Sequence, residues 1–122
     1  MSDSSPPSDP VSRPNYYHHH DLGRFAEVGR GAPELARKFF DYYGAVFAEG
    51  ALSAREKALI ALAVAHAVQC PYCIDAYSKD ALEKGSNLDE MTEAVHVAAA
   101  IRGGASLMHG VQMLNHVDDL GM

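Results

Sequence analysis

The sequence predicts an all-α protein, and three observations carry that expectation. From Asp21 onward the apolar residues recur at the three-to-four spacing of a helix. No stretch alternates apolar and polar residues for long enough to make a strand. Helix-starting and helix-stopping residues also punctuate the chain at helix-length intervals. Pro33, Ser53 with Glu56, Pro71, and Asn87 with Glu90 are starts, and Gly50, Gly85 and the Gly103, Gly104 pair are stops. About six helices with short connections and antiparallel neighbours follow.

Residues 1–20 begin MSDSSPPSDPVSRPN, which is too poor in apolar surface to offset the entropy of ordering. They read as a flexible tail, or as an arm lying on a neighbouring subunit. His18, His19 and His20 are candidate metal ligands. A solvated segment is the competing reading, because residues adjacent in sequence rarely converge on one ion. Residues 21–122 form one helical domain. A short helix is expected over Leu22 to Val28, stopped by Gly29 and Gly31. The helix over 33 to 48 starts at Pro33, which suits a first helical position. It sets Leu35, Phe39, Tyr42, Val46 and Phe47 at helical spacing.

Ser53 and Glu56 make a capping box, and the helix they open, ALIALAVAHAV, is apolar nearly all round. That predicts burial on most sides. Pro71 ends this helix and starts the next, which runs over about 71 to 84 to Gly85. Asn87 and Glu90 repeat the capping pattern and open a helix over 88 to 101. Gly103 and Gly104 break it, and a last helix spans Ser106 to Asp119.

Bulk composition narrows the function. A chain of 122 residues makes one domain, small enough to benefit from burying surface in an oligomer. A net charge of −6 argues against nucleic acid, whose phosphates need a basic stripe. The longest mostly apolar run, Ala58 to Val68, is too short to span a bilayer, so no membrane partner is expected. No apolar secretory segment opens the chain, which points to the cytoplasm. In that compartment a C-x-x-C pair reads as redox-active or metal-binding before it reads as a structural staple.

The two cysteines of the chain, Cys70 and Cys73, form that pair in AHAVQCPYCIDAYS. Cys70 falls at the N-cap position and Cys73 one turn into the helix, so both sulfurs share a face at bridging distance. Free N–H groups and the positive helix end favour a thiolate there. Buried inert thiols are the bland alternative, and a zinc site would need two more good ligands. Thiol redox chemistry also needs a group to take the attacking thiol's proton and one to protonate the departing oxygen. His66, four residues before Cys70, is the nearest candidate, weighed against a core histidine bonded to a backbone carbonyl. Tyr77 and Tyr72 could donate to an oxyanion or simply pack. Asp75 reads as solvated or capping. His96, His109 and His116 read as structural, with the last two sharing a face seven residues apart.

The run AREKALIALAVAHAVQCPYCIDAYSKDALEKG, followed by an amphipathic helix, resembles the core of the AhpD-like alkylhydroperoxidase and carboxymuconolactone decarboxylase family. APELARKFFDYYGAVFAEGAL, CPYCIDAY and AVHVAAAIRGGASLMHGVQM resemble in particular its arsenosugar biosynthesis-associated peroxidase-like subgroup. The resemblance implies an all-α fold and trimers or hexamers. It implies hydroperoxide reduction without haem, flavin or metal, in which Cys73 attacks and Cys70 resolves. It also implies a lipoyl-bearing or thioredoxin-like reductant. The AhpD pattern has a histidine where this chain has Tyr77 and a glutamate where it has Ala58. Glu56 resembles a glutamate of the decarboxylase-like branch and, with His66, is a candidate substitute relay. The two are ten residues apart on one helix, about 15 Å of rise, so they cannot touch within one chain. A peroxidase-like oxidoreductase using Cys73, Cys70, His66, Glu56 and Tyr77 is the leading expectation. A dithiol protein that binds trivalent arsenic is the second, because soft thiolates suit a soft acceptor. A helical assembly module with idle thiols is the third.

Overall fold

The computed structural model describes residues 19 to 121, and all regular structure among them is helical. A 3-10 helix spans His19–Gly31, followed by α1 (Pro33–Phe47), α2 (Ala54–Ala67), α3 (Pro71–Glu83) and α4 (Leu88–Asp119). Residues 1 to 18, including most of the expected tail and His18 of the histidine triplet, lie outside the described residues. The chain divides into two compact units between Ala51 and Leu52.

In the first unit, the 3-10 helix packs against α1. The short helix expected to stop at Gly29 instead runs through it to Gly31. A Cβ built at Gly29 would lie 2.8 Å from that of Ala36, so the bare backbone is what lets the two elements approach. Phe25 sets its ring edge-on to Phe40 at 5.0 Å and to Phe39 at 6.4 Å, an arrangement the ring quadrupoles favour. Pro33 opens α1 as expected; Ala32 at its N-cap offers no side-chain bond.

In the second unit α2 packs against both α3 and α4. Its capping box is formed: Ser53 Oγ accepts from the Glu56 N–H at 3.0 Å, and Glu56 Oε1 accepts from the Ser53 N–H at 2.8 Å. Ala58, Leu62 and Ala65, at i, i+4 and i+7, make the buried stripe. Ala81 of α3 and Ala98 of α4 complete a core of mostly small side chains. As expected, α2 is buried or half-buried on most sides, and the exposed residues Glu56, Ile60 and Val64 make a single stripe. Ile60 and Val64 remain about half exposed, at 49% and 53%, because two partner helices cover only part of its circumference.

α4 opens with the expected second capping box, in which Asn87 Oδ1 accepts from the Glu90 N–H at 2.8 Å. Glu90 also pairs with Arg55 in the first turn of α2. At the other end of α2, Arg102 of α4 donates to the Ala67 carbonyl. These two ties show that α2 runs parallel to residues 90 to 102 of α4, the direction that two short reversing connections through α3 give to alternate helices. The expected break at Gly103 and Gly104 does not occur: α4 continues unbroken for 32 residues. Neither glycine takes a positive φ. A helix-interior glycine costs only about 1 kcal/mol relative to alanine, less than the hydrogen bonds a break would forfeit. Residues 103 to 119 therefore extend about 25 Å past the end of α2.

One buried polar atom lacks a partner among the described residues. Ser86, just before the N-cap of α4, is buried, and its Oγ makes no hydrogen bond. Ser86→Ala is expected to leave the fold intact and to raise the unfolding free energy by about 1 kcal/mol, since it removes an unpaired hydroxyl. A loss of stability on urea denaturation would show that a bound water satisfies that oxygen.

Candidate functional site

The turn between α2 and α3 builds the site. Its hydrogen bonds follow the Schellman pattern: the Gln69 N–H donates to the His66 carbonyl at 3.2 Å and the Cys70 N–H to the Ala65 carbonyl at 3.0 Å. The residue at the pivot must be left-handed, and Gln69 has φ 57. The next turn, after α3, repeats the pattern with Gly85 at φ 91 in the equivalent place, where the absence of a Cβ removes the strain. A side chain there costs about 1 to 2 kcal/mol, and such strain persists only where surroundings over-determine it.

Those surroundings are visible in the last carbonyls of α2. Val64 accepts from the Val68 N–H at 2.9 Å, while Ala65 and His66 accept from the turn itself. Ala67 accepts from Arg102, a residue 35 positions away. Every terminal carbonyl of α2 is thus engaged, and a cation sits at the negative helix end. Sequence reasoning missed Arg102. The available signal was a lone cation inside the apolar run AVHVAAAIRGGASLM.

Cys70 is held at three points. Its N–H bonds back to Ala65, its carbonyl accepts from the Ile74 N–H at 2.9 Å, and its Sγ accepts from the Cys73 N–H at 3.3 Å. It therefore ends one helix and caps the next, with Pro71 at the first helical position, as the sequence predicted. Both cysteines are free thiols and partly buried. Burial pushes the Cys73 thiol up to about 11; donation of its S–H to the Cys70 sulfur, and the charge that sulfur carries, act in the same direction. Cys70 Sγ thus has the backbone N–H and the Cys73 thiol beside it.

His66 lies in the last turn of α2 with Nδ1 2.9 Å from the Leu62 carbonyl. A carbonyl only accepts, so Nδ1 carries the proton and, in the neutral ring, Nε2 is the basic nitrogen. Both sequence readings therefore meet in one residue: a histidine anchored to backbone by one nitrogen, with the other open for proton transfer. Neither sulfur hydrogen-bonds to it. Glu56 is committed to the capping box at the opposite end of α2, so within one chain it is not brought to the sulfurs. Ala58, where the AhpD pattern has an acid, is fully buried. Tyr77, one turn after Cys73, and Tyr72 are partly buried on α3, and Asp75 is exposed. His96, His109 and His116 lie exposed on α4, apart from this turn. Among the described residues no three His, Cys, Asp or Glu side chains come together as a metal cage.

The comparisons with known proteins agree with this architecture. Residues 33–116 match the carboxymuconolactone decarboxylase family model, and the chain belongs to that family. It is 39% identical over 94 residues to uncharacterized protein 4 in the cox locus of Paracoccus denitrificans, covering 77% of this chain and 85% of that one. It superposes on the crystal structure of a Methanobacterium thermoautotrophicum protein with a TM-score of 0.67 and 39% identity, over 74% of this chain and 98% of that one. It also superposes on an apo carboxymuconolactone decarboxylase family protein of Legionella pneumophila, with a TM-score of 0.63 and 30% identity, over 84% and 92%. The family contains decarboxylases and alkylhydroperoxidases. No helix among the described residues is long and apolar enough to cross a membrane.

Proposed function

We propose that this chain is a cofactor-free, peroxidase-like thiol oxidoreductase of the cytoplasm, with Cys70 and Cys73 cycling between dithiol and disulfide. The observation that supports this most is the pair itself: two free thiols in one turn, with Cys70 Sγ accepting the Cys73 N–H at a helix start. In the order the family resemblance implies, a deprotonated Cys73 attacks a peroxide oxygen. The O–O bond breaks, an alcohol leaves with a proton, and a sulfenic acid forms. Cys70 then attacks that sulfur, hydroxide leaves as water, and the disulfide closes. A thioredoxin-like or lipoyl-bearing partner returns the two electrons. Removing the proton from Cys73 is the demanding step; the Cys70 sulfur and His66 Nε2 are the acceptors this part of the chain offers, and Tyr77 is the candidate donor to the departing oxygen.

Assembly into a homo-oligomer, a trimer or hexamer, belongs to the same proposal. Leu107 and Met108 on the extended part of α4 are 81% and 70% exposed in the single chain, an apolar surface of the kind subunits cover. A neighbouring subunit could also bring Glu56 to the sulfurs. A second reading, an accessory protein that binds arsenicals in arsenosugar biosynthesis, is favoured by the sulfur–sulfur hydrogen bond, which sets both thiols within reach of one soft acceptor. Reduced protein mixed with limiting tert-butyl hydroperoxide and followed by intact mass separates the two. Rapid loss of two hydrogens, abolished in Cys70→Ser and in Cys73→Ser, is expected. An unchanged mass over many minutes, with an arsenite adduct that needs both cysteines, would replace the first reading by the second.

A further inference from the structure

Arg24, Arg37 and Arg55 each hold a carboxylate, those of Glu27, Glu34 and Glu90. Arg102 does not. Its Nη1 donates to the Ala67 carbonyl at the end of α2. Nε and Nη2, the parallel N–H pair along the other edge of the guanidinium, have no partner among the described residues, and the residue is exposed. Asp75, the acidic residue nearest the two cysteines in sequence, forms no ion pair with it.

Position gives this free edge its meaning. Ala67 precedes Cys70 by three residues, so their Cα atoms are at most about 11 Å apart. The bond from the Cys70 N–H to the Ala65 carbonyl folds the turn back and shortens that span. Cys73 follows one helical turn on. The chain has a net charge of −6, so a cation fixed beside the thiols opposes the general field of the protein. The carbonyl bond also holds the guanidinium in place, so less freedom remains to be lost when a ligand binds. Two parallel N–H groups match the two oxygens of a carboxylate.

We propose that Arg102 is a substrate-binding residue of the dithiol site, and that it selects oxidants bearing a carboxylate. Nε and Nη2 donate to the two carboxylate oxygens while the reactive end of the same molecule meets the sulfur pair. The arginine makes and breaks no covalent bond and transfers no proton; the chemistry at sulfur stays as written above. The assignment deepens the dithiol reading and rests on it only for the thiols being the reacting groups.

N-ethylmaleimide and 3-maleimidopropionate are suitable probes. They share one thiol-reactive ring and differ by a terminal carboxylate, so thiol ionisation and access cancel in the ratio of their rates. At pH 7 and low ionic strength that ratio should favour the acid by about threefold over the ratio for N-acetylcysteinamide, a neutral thiol, which is the size an exposed ion pair gives. Salt at about 0.5 M should erase the preference, a readout that needs no variant. Arg102→Gln should bring the ratio to that of the reference thiol or below it. Arg102→Lys should keep part of the preference, since the charge stays and the parallel pair goes. Circular dichroism checks that both variants fold. A purely structural role for Arg102 would move both rates together and leave their ratio alone. A parent ratio at or below the reference, or one that Arg102→Gln leaves unchanged, overturns the assignment. A carboxylate preference in a protein whose thiols resist hydroperoxide would keep this inference and remove the peroxidase. Rapid oxidation by hydroperoxide with no carboxylate preference would do the opposite.

Discussion

Leu62→Ala is expected to lower the unfolding free energy by about 3 to 5 kcal/mol, the range for a leucine that leaves a poorly filled cavity. Leu62 is 1% exposed and is the largest fully buried side chain among the described residues. Its neighbours in the buried set are alanines at 58, 65, 81 and 98, whose short side chains cannot swing into the space it would vacate. A domain of this size has about 5 to 15 kcal/mol of stability in all, so the variant should sit near the threshold of folding. Chemical denaturation reads it directly. A loss under about 1 kcal/mol would mean that α3 and α4 close onto α2 freely, and that the alanine stripe sets no fixed helix spacing. Because the Leu62 carbonyl holds His66 Nδ1, the backbone part of the site should survive wherever the variant still folds.

Gln69 carries the second large effect, in two directions. Gln69→Gly keeps the left-handed pivot and removes the Cβ strain, so a gain of about 1 kcal/mol is expected. Gln69→Pro cannot reach φ 57 and lacks the N–H that bonds to His66, so a loss of about 3 kcal/mol or more is expected. The proline also disfavours the helical conformation of Val68, the C-cap of α2. Cys70 would then lose its tie to Ala65, and its alkylation rate should change from the parent value. Gln69→Gly separates strain from support: if Arg102 and the turn bonds alone fix Cys70, its alkylation rate should stay at the parent value. A changed rate with raised stability would show that the strained pivot itself tunes the sulfur.

Several features were legible because they are local. Capping boxes join residues three apart, so Ser53 with Glu56 and Asn87 with Glu90 named the starts of α2 and α4 within a residue. Pro71 after Cys70 placed the dithiol at a helix start for the same reason. The Gly103, Gly104 pair misled because glycine marks a stop only when it turns left-handed, and its small helical cost is outweighed in a long run of good helix formers. The 3-10 helix through Gly29 depended on a close approach to Ala36 that no spacing rule encodes.

The sequence by itself determined the helical class, the starts of α1 to α4, and the address of Cys70 and Cys73. Each follows from hydrogen bonds and dihedral limits within a few residues. Only the tertiary structure decided that α4 runs on unbroken past the end of α2, that the stripe of α2 through Ile60 and Val64 stays exposed, and that Arg102 reaches the Ala67 carbonyl. It also decided which nitrogen of His66 is anchored and which sulfur of the pair is held at more points. Those outcomes depend on how helices dock, bringing groups 35 residues apart into contact, and no periodicity along one helix specifies which groups of its neighbour will reach it.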